Sequence, residues 1–147
     1  MIAFVVPGVP VAKGRARSRI ARSSSGKTFV SHYTPAETRS YENLVRMCAK
    51  DAMGGGVPLD LALSVEIVAR IPVPASWSNK RRERALAGLV GATKRPDGDN
   101  YAKAVLDGCN AVVWKDDAQL VDIVVRKRYA SIPQVEVTVV PLDVDPA

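Results

Sequence analysis

Residues 61–71 read LALSVEIVARI, and this stretch decides the fold. Its apolar residues recur at every second position, at Leu61, Leu63, Val65, Ile67, Ala69 and Ile71. A period of two is typical of a β-strand that buries one face strongly. We therefore predict a central strand here, ended by the prolines at 72 and 74.

Strand and helix patterns lie on both sides of this stretch. Strands are predicted at 2–6, 28–31, 119–129 and 134–140, and helices at 34–53, 78–89 and 100–113. Thr34, Pro35 and Glu37 have the spacing of a capping box, and Gly54 to Gly56 end that helix. This order predicts an α/β (α+β) fold, in which a small mixed sheet is packed by helices within a single domain of residues 1–147.

Composition narrows the class of protein. The chain has 147 residues, 47% of them hydrophobic, and no apolar run of the length of a membrane span. The first residues lack the basic start of a signal peptide, so we expect a cytoplasmic protein without membrane attachment. In that setting Cys48 and Cys109 are expected to be unbridged, and a single histidine, His32, argues against chemistry centred on histidine.

The positive charge is concentrated near the start of the chain. Residues 1–33 hold six bases and no acid, whereas the other fifteen bases and fifteen acids cancel. The serines and glycines of residues 13–27 predict a flexible basic loop, for which a polyanion is the natural partner. A basic loop that is only solvated is the alternative.

Carboxylates gather in two further stretches, KRPDGDNYAK at 94–103 and WKDDAQ at 114–119. Asp97 and Asp99 precede a predicted helix, so both side chains can turn toward one point, and carboxylate oxygens are the ligands that Mg²⁺ prefers. Lys103 follows one turn later and could contact phosphate, while Asp116 and Asp117 could complete the site. The alternatives are helix caps, a polar turn, and a surface ladder from Asp99 through Lys103 to Asp107.

The pattern Pro-Asp-x-Asp-Asn-x-x-Lys-Ala at 96–104, followed by Leu106 and Asp107 and by VWKDDAQ at 113–119, resembles the signature of the RusA family of Holliday-junction resolvases. Residues 7–17, PGVPVAKGRAR, are similar to the basic N-terminal segment of that family, and the order of strands and helices agrees over nearly the whole chain. The chain departs from the family at Gly98, where a bulky apolar residue is common. A glycine there is expected to loosen the backbone of the metal loop.

The resemblance implies a homodimeric endonuclease that uses Mg²⁺, or Mn²⁺ in its place, to make paired nicks in four-way DNA junctions during recombination and repair. It implies that the metal ligands are Asp97, Asp99 and Asp117, with Asp116 beside them, and that Lys103 is the essential lysine. Asn100 and Asp107 become supporting residues. The basic residues expected on DNA are Lys13, Arg15, Arg17, Arg19, Lys94 and Arg95.

Two other functions stay open from the residues alone. A metal-dependent nucleotidyl or glycosyl transferase also uses an Asp-x-Asp pair to hold a diphosphate, although no glycine loop for a nucleotide follows a strand here. A basic DNA-binding module without catalysis would use the same acids only as helix caps.

Overall fold

The computed structural model describes residues 1–14, 17–33, 35–145 and 147. The strands are β1 (Ile2–Pro7), β2 (Arg17–Arg22), β3 (Thr28–Tyr33), β4 (Leu63–Ile71), β5 (Leu120–Tyr129) and β6 (Gln134–Pro141). The helices are α1 (Ala36–Met53), α2 (Asn79–Leu86) and α3 (Gly98–Cys109), and a short 3₁₀ helix at Asp117–Gln119 leads into β5. The predicted α/β (α+β) fold is confirmed.

The main sheet has the strand order β1-β6-β4-β5. The strand at residues 61–71 is confirmed as an interior one, since β4 runs antiparallel to β6 and parallel to β5. It begins at Leu63 instead of Leu61, which is 40% exposed. The sheet is therefore mixed, as predicted, and β1 and β5 form its edges.

The core lies between one face of the sheet and the helices α1 and α3. The side chains of Leu63, Val65 and Ile67 are fully buried there, because the alternation of β4 places them all on this face. Gly108 of α3 permits the two helices to approach closely, since a Cβ at this position would lie 2.6 Å from Cγ1 of Val45 in α1. This packing fixes α3 against the sheet, and α3 carries the predicted site.

The helix boundaries differ from the sequence expectation at several ends. Gly54 closes α1 in the left-handed conformation, as expected, but Pro35 is the N-cap and makes no side-chain cap hydrogen bond, while Thr34 lies outside the described residues. α3 begins two residues before the predicted start and ends four before the predicted end. The early end follows from Asn110, which is extended, and from Ala111, which has φ of 65°.

The prediction of a flexible loop at 13–27 is wrong over the residues that form β2. Arg17–Arg22 pairs antiparallel with β3, and Ile20 lies opposite Val30. The serines and glycine that indicated flexibility make the hairpin turn, because the backbone N–H of Ser23 donates to the Lys27 carbonyl over 2.7 Å and Gly26 has a positive φ. The hairpin is a separate two-stranded sheet.

Two further expectations concern the cysteines and the membrane. Cys48 and Cys109 are both free thiols, as predicted. Within the described ranges, none of the helices has the length and apolar character needed to cross a membrane.

Candidate functional site

Two of the predicted metal ligands lie at the start of α3. Asp97 is the N-cap, and its backbone carbonyl accepts from the backbone N–H of Asn100 over 3.1 Å. Its side chain makes no cap hydrogen bond, although aspartate is among the best capping residues. Asp99 lies in the first turn, and both aspartates are exposed. Both carboxylates therefore lie exposed at the positive end of a helix dipole.

The loop before α3 is held by β5. The ammonium of Lys127 donates to the backbone carbonyls of Lys94 and Pro96, each over 2.8 Å. A Cβ on Gly98 would lie 3.6 Å from Cδ of Lys127 and 3.7 Å from Cγ1 of Val125, so the first residue of α3 rests on this strand. Lys127 is thus a positioning residue for the loop that carries Asp97.

Lys103 belongs to a chain of ion pairs across α3, α1 and the segment after β1. Its ammonium lies 3.0 Å from Oδ1 of Asp107, and Oδ2 of the same carboxylate lies 3.1 Å from Nζ of Lys13. Lys13 also contacts Oε1 of Glu42 over 2.6 Å. In the predicted ladder from Asp99 through Lys103 to Asp107, the ion pair between Lys103 and Asp107 is therefore present. A supporting role for Asp107 in the site stays a prediction.

The ammonium of Lys13 is paired with carboxylates of the protein itself. Burial lowers the pKa of its ammonium, but hydrogen bonds to Glu42 and Asp107 outweigh that effect and raise the pKa overall. Its backbone N–H donates to the carbonyl of Asn100 over 2.8 Å. A DNA contact by Lys13 stays a prediction, and the contacts described here tie the segment after β1 to both helices.

Asp117 and its neighbour have different surroundings. Oδ1 of Asp117 accepts from Nε1 of Trp114 over 2.7 Å, and that tryptophan is fully buried. Asp116 caps the 3₁₀ helix, because its Oδ1 accepts from the backbone N–H of Ala118 over 2.9 Å and its own N–H donates to Gln119 over 2.9 Å. The capping alternative is thus realised at Asp116, while Asp117 keeps one oxygen outside this contact.

Asp117 lies near the end of α3 opposite to Asp97 and Asp99. Burial raises the pKa of the Cys109 thiol to about 12, and the nearby charge of Asp117 adds to this shift. Cys109 is the last residue of α3, which at 12 residues is about 18 Å long. Among the described residues, no three His, Cys, Asp or Glu side chains are grouped so that they could hold a metal ion. One chain does not bring the predicted ligands together.

The predicted DNA contacts fall in two regions. Lys94 and Arg95 are exposed in the loop before α3, where an open cavity of about 440 Å³ is lined by Arg95, Pro96, Asp97 and Asn100. Arg17 and Arg19 belong to β2. Arg15 lies outside the described residues. The cationic loop thus borders the carboxylate pair directly.

Sequence reasoning did not find the role of Lys127. The Lys127 ammonium reaches backbone carbonyls 33 and 31 residues earlier in the chain. A positively charged side chain on a strand next to an acidic loop is a weak signal, because any strand facing solvent carries such residues.

The chain is similar in sequence to known proteins over nearly its whole length. The chain is 36% identical over 143 residues to the uncharacterized protein YqaN of Bacillus subtilis (strain 168), and the match covers 94% of each chain. Residues 7–140 match the sequence model of the family described as Endodeoxyribonuclease RusA, a range that includes the whole candidate site from Lys13 to Asp117. The chain therefore belongs to the RusA endodeoxyribonuclease family.

Proposed function

We propose that this protein is a divalent-metal-dependent endonuclease that resolves four-way DNA junctions by paired nicks, acting as a homodimer in the cytoplasm. Membership of the RusA endodeoxyribonuclease family supports the class of reaction. The observation that carries the proposal is the pair Asp97 and Asp99, two exposed carboxylates at the start of α3, where the side chain of the N-cap Asp97 makes no capping hydrogen bond.

The residues fit a hard divalent cation. In the described part of the chain neither Asp97 nor Asp99 has a side-chain hydrogen bond or an ion pair. Mg²⁺ is commonly held by one or two carboxylates together with substrate phosphate, so these two aspartates would hold it. Asp117, at the other end of α3, would not reach the same ion within one chain. When bound, the cation lowers the pKa of water and neutralises phosphate charge.

The residues of the chain would divide the remaining work. Lys103, held by Asp107 over 3.0 Å, would place a positive charge next to the scissile phosphate and stabilise the leaving oxygen. The free N–H groups of the first turn of α3 would bind phosphate oxygens. Lys94 and Arg95, exposed beside Asp97, would contact flanking phosphates and fix the strand relative to the carboxylates.

The test compares cleavage of a labelled four-way junction, the matching duplex and a single strand, with Mg²⁺ and with a chelator. We expect symmetric nicks in the junction alone, and only with the metal. Asp99→Asn should lower the cleavage rate at least about a hundredfold, because a metal ligand is lost, while junction binding in a gel-shift assay persists. Asp51→Asn, which removes an exposed carboxylate of α1, is the matched control and should cleave normally.

Three outcomes contradict the proposal in different ways. Full cleavage by Asp99→Asn would remove the carboxylate pair from the site. Salt-dependent junction binding without any nicking would indicate a DNA-binding module. Calorimetric binding of a nucleoside diphosphate, with no effect on branched DNA, would indicate a transferase.

A further inference from the structure

A cavity of about 340 Å³ lies beside the loop that carries Asp97. It is at the edge of the sheet where the parallel strands β4 and β5 both end, since it is lined by Ile71 and Tyr129, which are paired with each other as the last residues of the two strands. Val9, Pro72 and Pro74 add aliphatic surface to it. Ligand sites in sheets with parallel strands commonly lie outside the carboxyl ends of those strands.

Two tyrosines with fixed rings line this cavity. Tyr101 is 5% exposed and belongs to the main core. Tyr129 is 9% exposed and packs in a smaller cluster, where its ring meets the ring of Trp77 edge to face at a centroid distance of 5.2 Å. No hydrogen bond joins the hydroxyl of either tyrosine to another described residue, and neither hydroxyl is sealed from solvent. The cavity thus combines rigid aromatic surface with hydroxyls that can still bond to a ligand.

The cavity also has two cationic residues, Lys94 and Arg95. Both are exposed, and within the described ranges neither side chain is paired with a carboxylate. Arg95 lines the open cavity of Asp97 and Asn100 as well, so the two cavities are neighbours. A DNA strand with a phosphate beside Asp97 can therefore place an adjoining base in the apolar cavity while these cations contact its phosphates.

We propose that this cavity binds one nucleobase, which leaves the base stack next to the phosphate that is cut. The proposal rests on the proposed function, because it takes the carboxylate pair as the place of cleavage. A nucleobase has two apolar faces and a polar edge, so it matches aromatic rings and aliphatic side chains that lie beside free hydroxyls. The two cations favour a polyanionic ligand over an apolar peptide.

Such a cavity favours branched DNA over duplex. Moving a base out of a duplex costs its stacking and its pairing, and this cost is smallest where the base is already mispaired or unstacked. In an open four-way junction, the base pairs at the branch point have lost a stacking neighbour on one side. Occupation of the cavity would therefore place the carboxylate pair next to the branch point.

Photochemical crosslinking locates the bound base. Junctions that each carry one 5-iodouracil, at a different position near the branch point, are irradiated in complex with the protein under chelating conditions. The linked peptide is then identified by mass spectrometry. We expect one position to crosslink to Tyr101 or Tyr129, because a base in the cavity lies against their rings.

Val9 allows the cavity to be filled without a change in the core, because it is 58% exposed. Val9→Trp should lower the yield of the tyrosine crosslink about tenfold, since the indole takes the space of the base. Val144→Trp makes the same change at a valine that is 59% exposed and does not line the cavity. This control should crosslink like the wild type, and both variants should keep the circular dichroism of the wild type.

A mispaired base gives a second measurement of the same contact. Mispairing at the crosslinked position lowers the cost of unstacking the base that enters the cavity. The junction affinity of the wild type and of Val144→Trp should therefore rise several-fold in a gel-shift assay. The affinity of Val9→Trp should stay the same, because its cavity takes no base.

The results separate the base site from the proposed function. In a protein that nicks junctions, crosslinks only outside the cavity, or equal tyrosine crosslinks in the wild type and Val9→Trp, would overturn the base site alone. A tyrosine crosslink that Val9→Trp removes, in a protein that binds junctions and does not nick them with Mg²⁺, would support the base site and overturn the endonuclease. A wild-type protein that binds no junction would contradict both.

Discussion

Arg70 binds the carboxylate of Glu136 through two hydrogen bonds, of 2.7 Å from Nε and 3.2 Å from Nη2. This contact lowers the pKa of Glu136 below its usual 4.5, against burial, which raises it, and Gln134 adds a smaller lowering. A carboxylate whose pKa is lowered by folding stabilises the fold above the pKa of the unfolded chain, and this contribution is lost as the pH falls through the lowered folded value.

The variant Glu136→Gln should accordingly be less stable than the wild type at pH 7 and equally stable in acid. The expected loss at pH 7 is about 0.5 kcal/mol, because both side chains are about one third exposed and solvent screens the pair. Urea unfolding at pH 7 and at pH 3 measures it. Glu83→Gln on α2 controls for the loss of one negative charge, and a Glu136→Gln deficit that does not become smaller from pH 7 to pH 3 would contradict the assignment.

Single residues of the site were predictable where the pattern is local. Asp97, Asp99 and Lys103 lie within seven positions, so helix periodicity alone places them on neighbouring turns. The contact from Lys127 to the carbonyls of Lys94 and Pro96 was not predictable, because it depends on how α3 lies across β5. The local sequence does not predict how this helix packs on this strand.

The helices α1 and α3 approach each other closely at Gly108, which has no side chain. A Cβ on Gly108 would come within 2.7 Å of Cβ of Val45 and 2.9 Å of the backbone carbonyl of Glu42. Gly108→Ala should therefore force α1 and α3 apart and destabilise the protein by about 1–3 kcal/mol, despite the better helix propensity of alanine. The free energy of unfolding in urea gives the measurement.

Gly98→Ala is the matched substitution in the same helix. Its Cβ would make only ordinary contacts, 3.6 Å to Lys127 and 3.7 Å to Val125, so stability should be kept or rise by about 0.5 kcal/mol. Equal losses for Gly98→Ala and Gly108→Ala would contradict the packing argument. These contacts also modify the expectation that glycine loosens this loop, because Gly98 packs against Val125 and Lys127 of β5.

Elements with a clear period were predicted well, and those formed by pairing were not. β4, β5 and β6 match their predicted ranges within two residues, and β4 and β6 owe this to the alternation of apolar and polar side chains. β2 is rich in arginine and serine and has no such signal of its own. Its strand conformation comes from the register with β3, which aligns Ile20 with Val30.

For the whole molecule, the excess positive charge predicts binding to DNA that weakens with salt. Arg22 and Lys27 lie near the turn of the hairpin, are exposed, and have no carboxylate partner among the described residues. The double variant Arg22→Gln, Lys27→Gln should reduce the slope of log affinity against log salt by about 2, if each residue contacts one phosphate.

Gel-shift titrations of a four-way junction at several salt concentrations, under chelating conditions, measure that slope. The double variant Arg39→Gln, Lys50→Gln removes two exposed charges from α1 and is the control. Equal slope changes in both variants would mean that only net charge matters and that the hairpin makes no specific phosphate contact.

At this scale the sequence indicated a mixed sheet but not its order. β1 pairs with β6, so residues such as Ile2 and Val139 are neighbours although almost the whole chain lies between them. The distance between Asp117 and Asp97 also depends on the packing of elements, because α3 runs back along β5. The spacing of a motif marks such residues as candidates for one site, but only the packed fold gives the distances between them.

The β2–β3 hairpin bears on how proteins of this kind can diverge. In the described structure it shares no strand pairing with the main sheet, and Ile20 at its middle is 80% exposed. Ile20 is not among the core residues of the described part of the chain, so natural selection can alter this position while the core stays packed. The contact with DNA that we predict for this basic hairpin can thus change in evolution at little risk to the stability of the core.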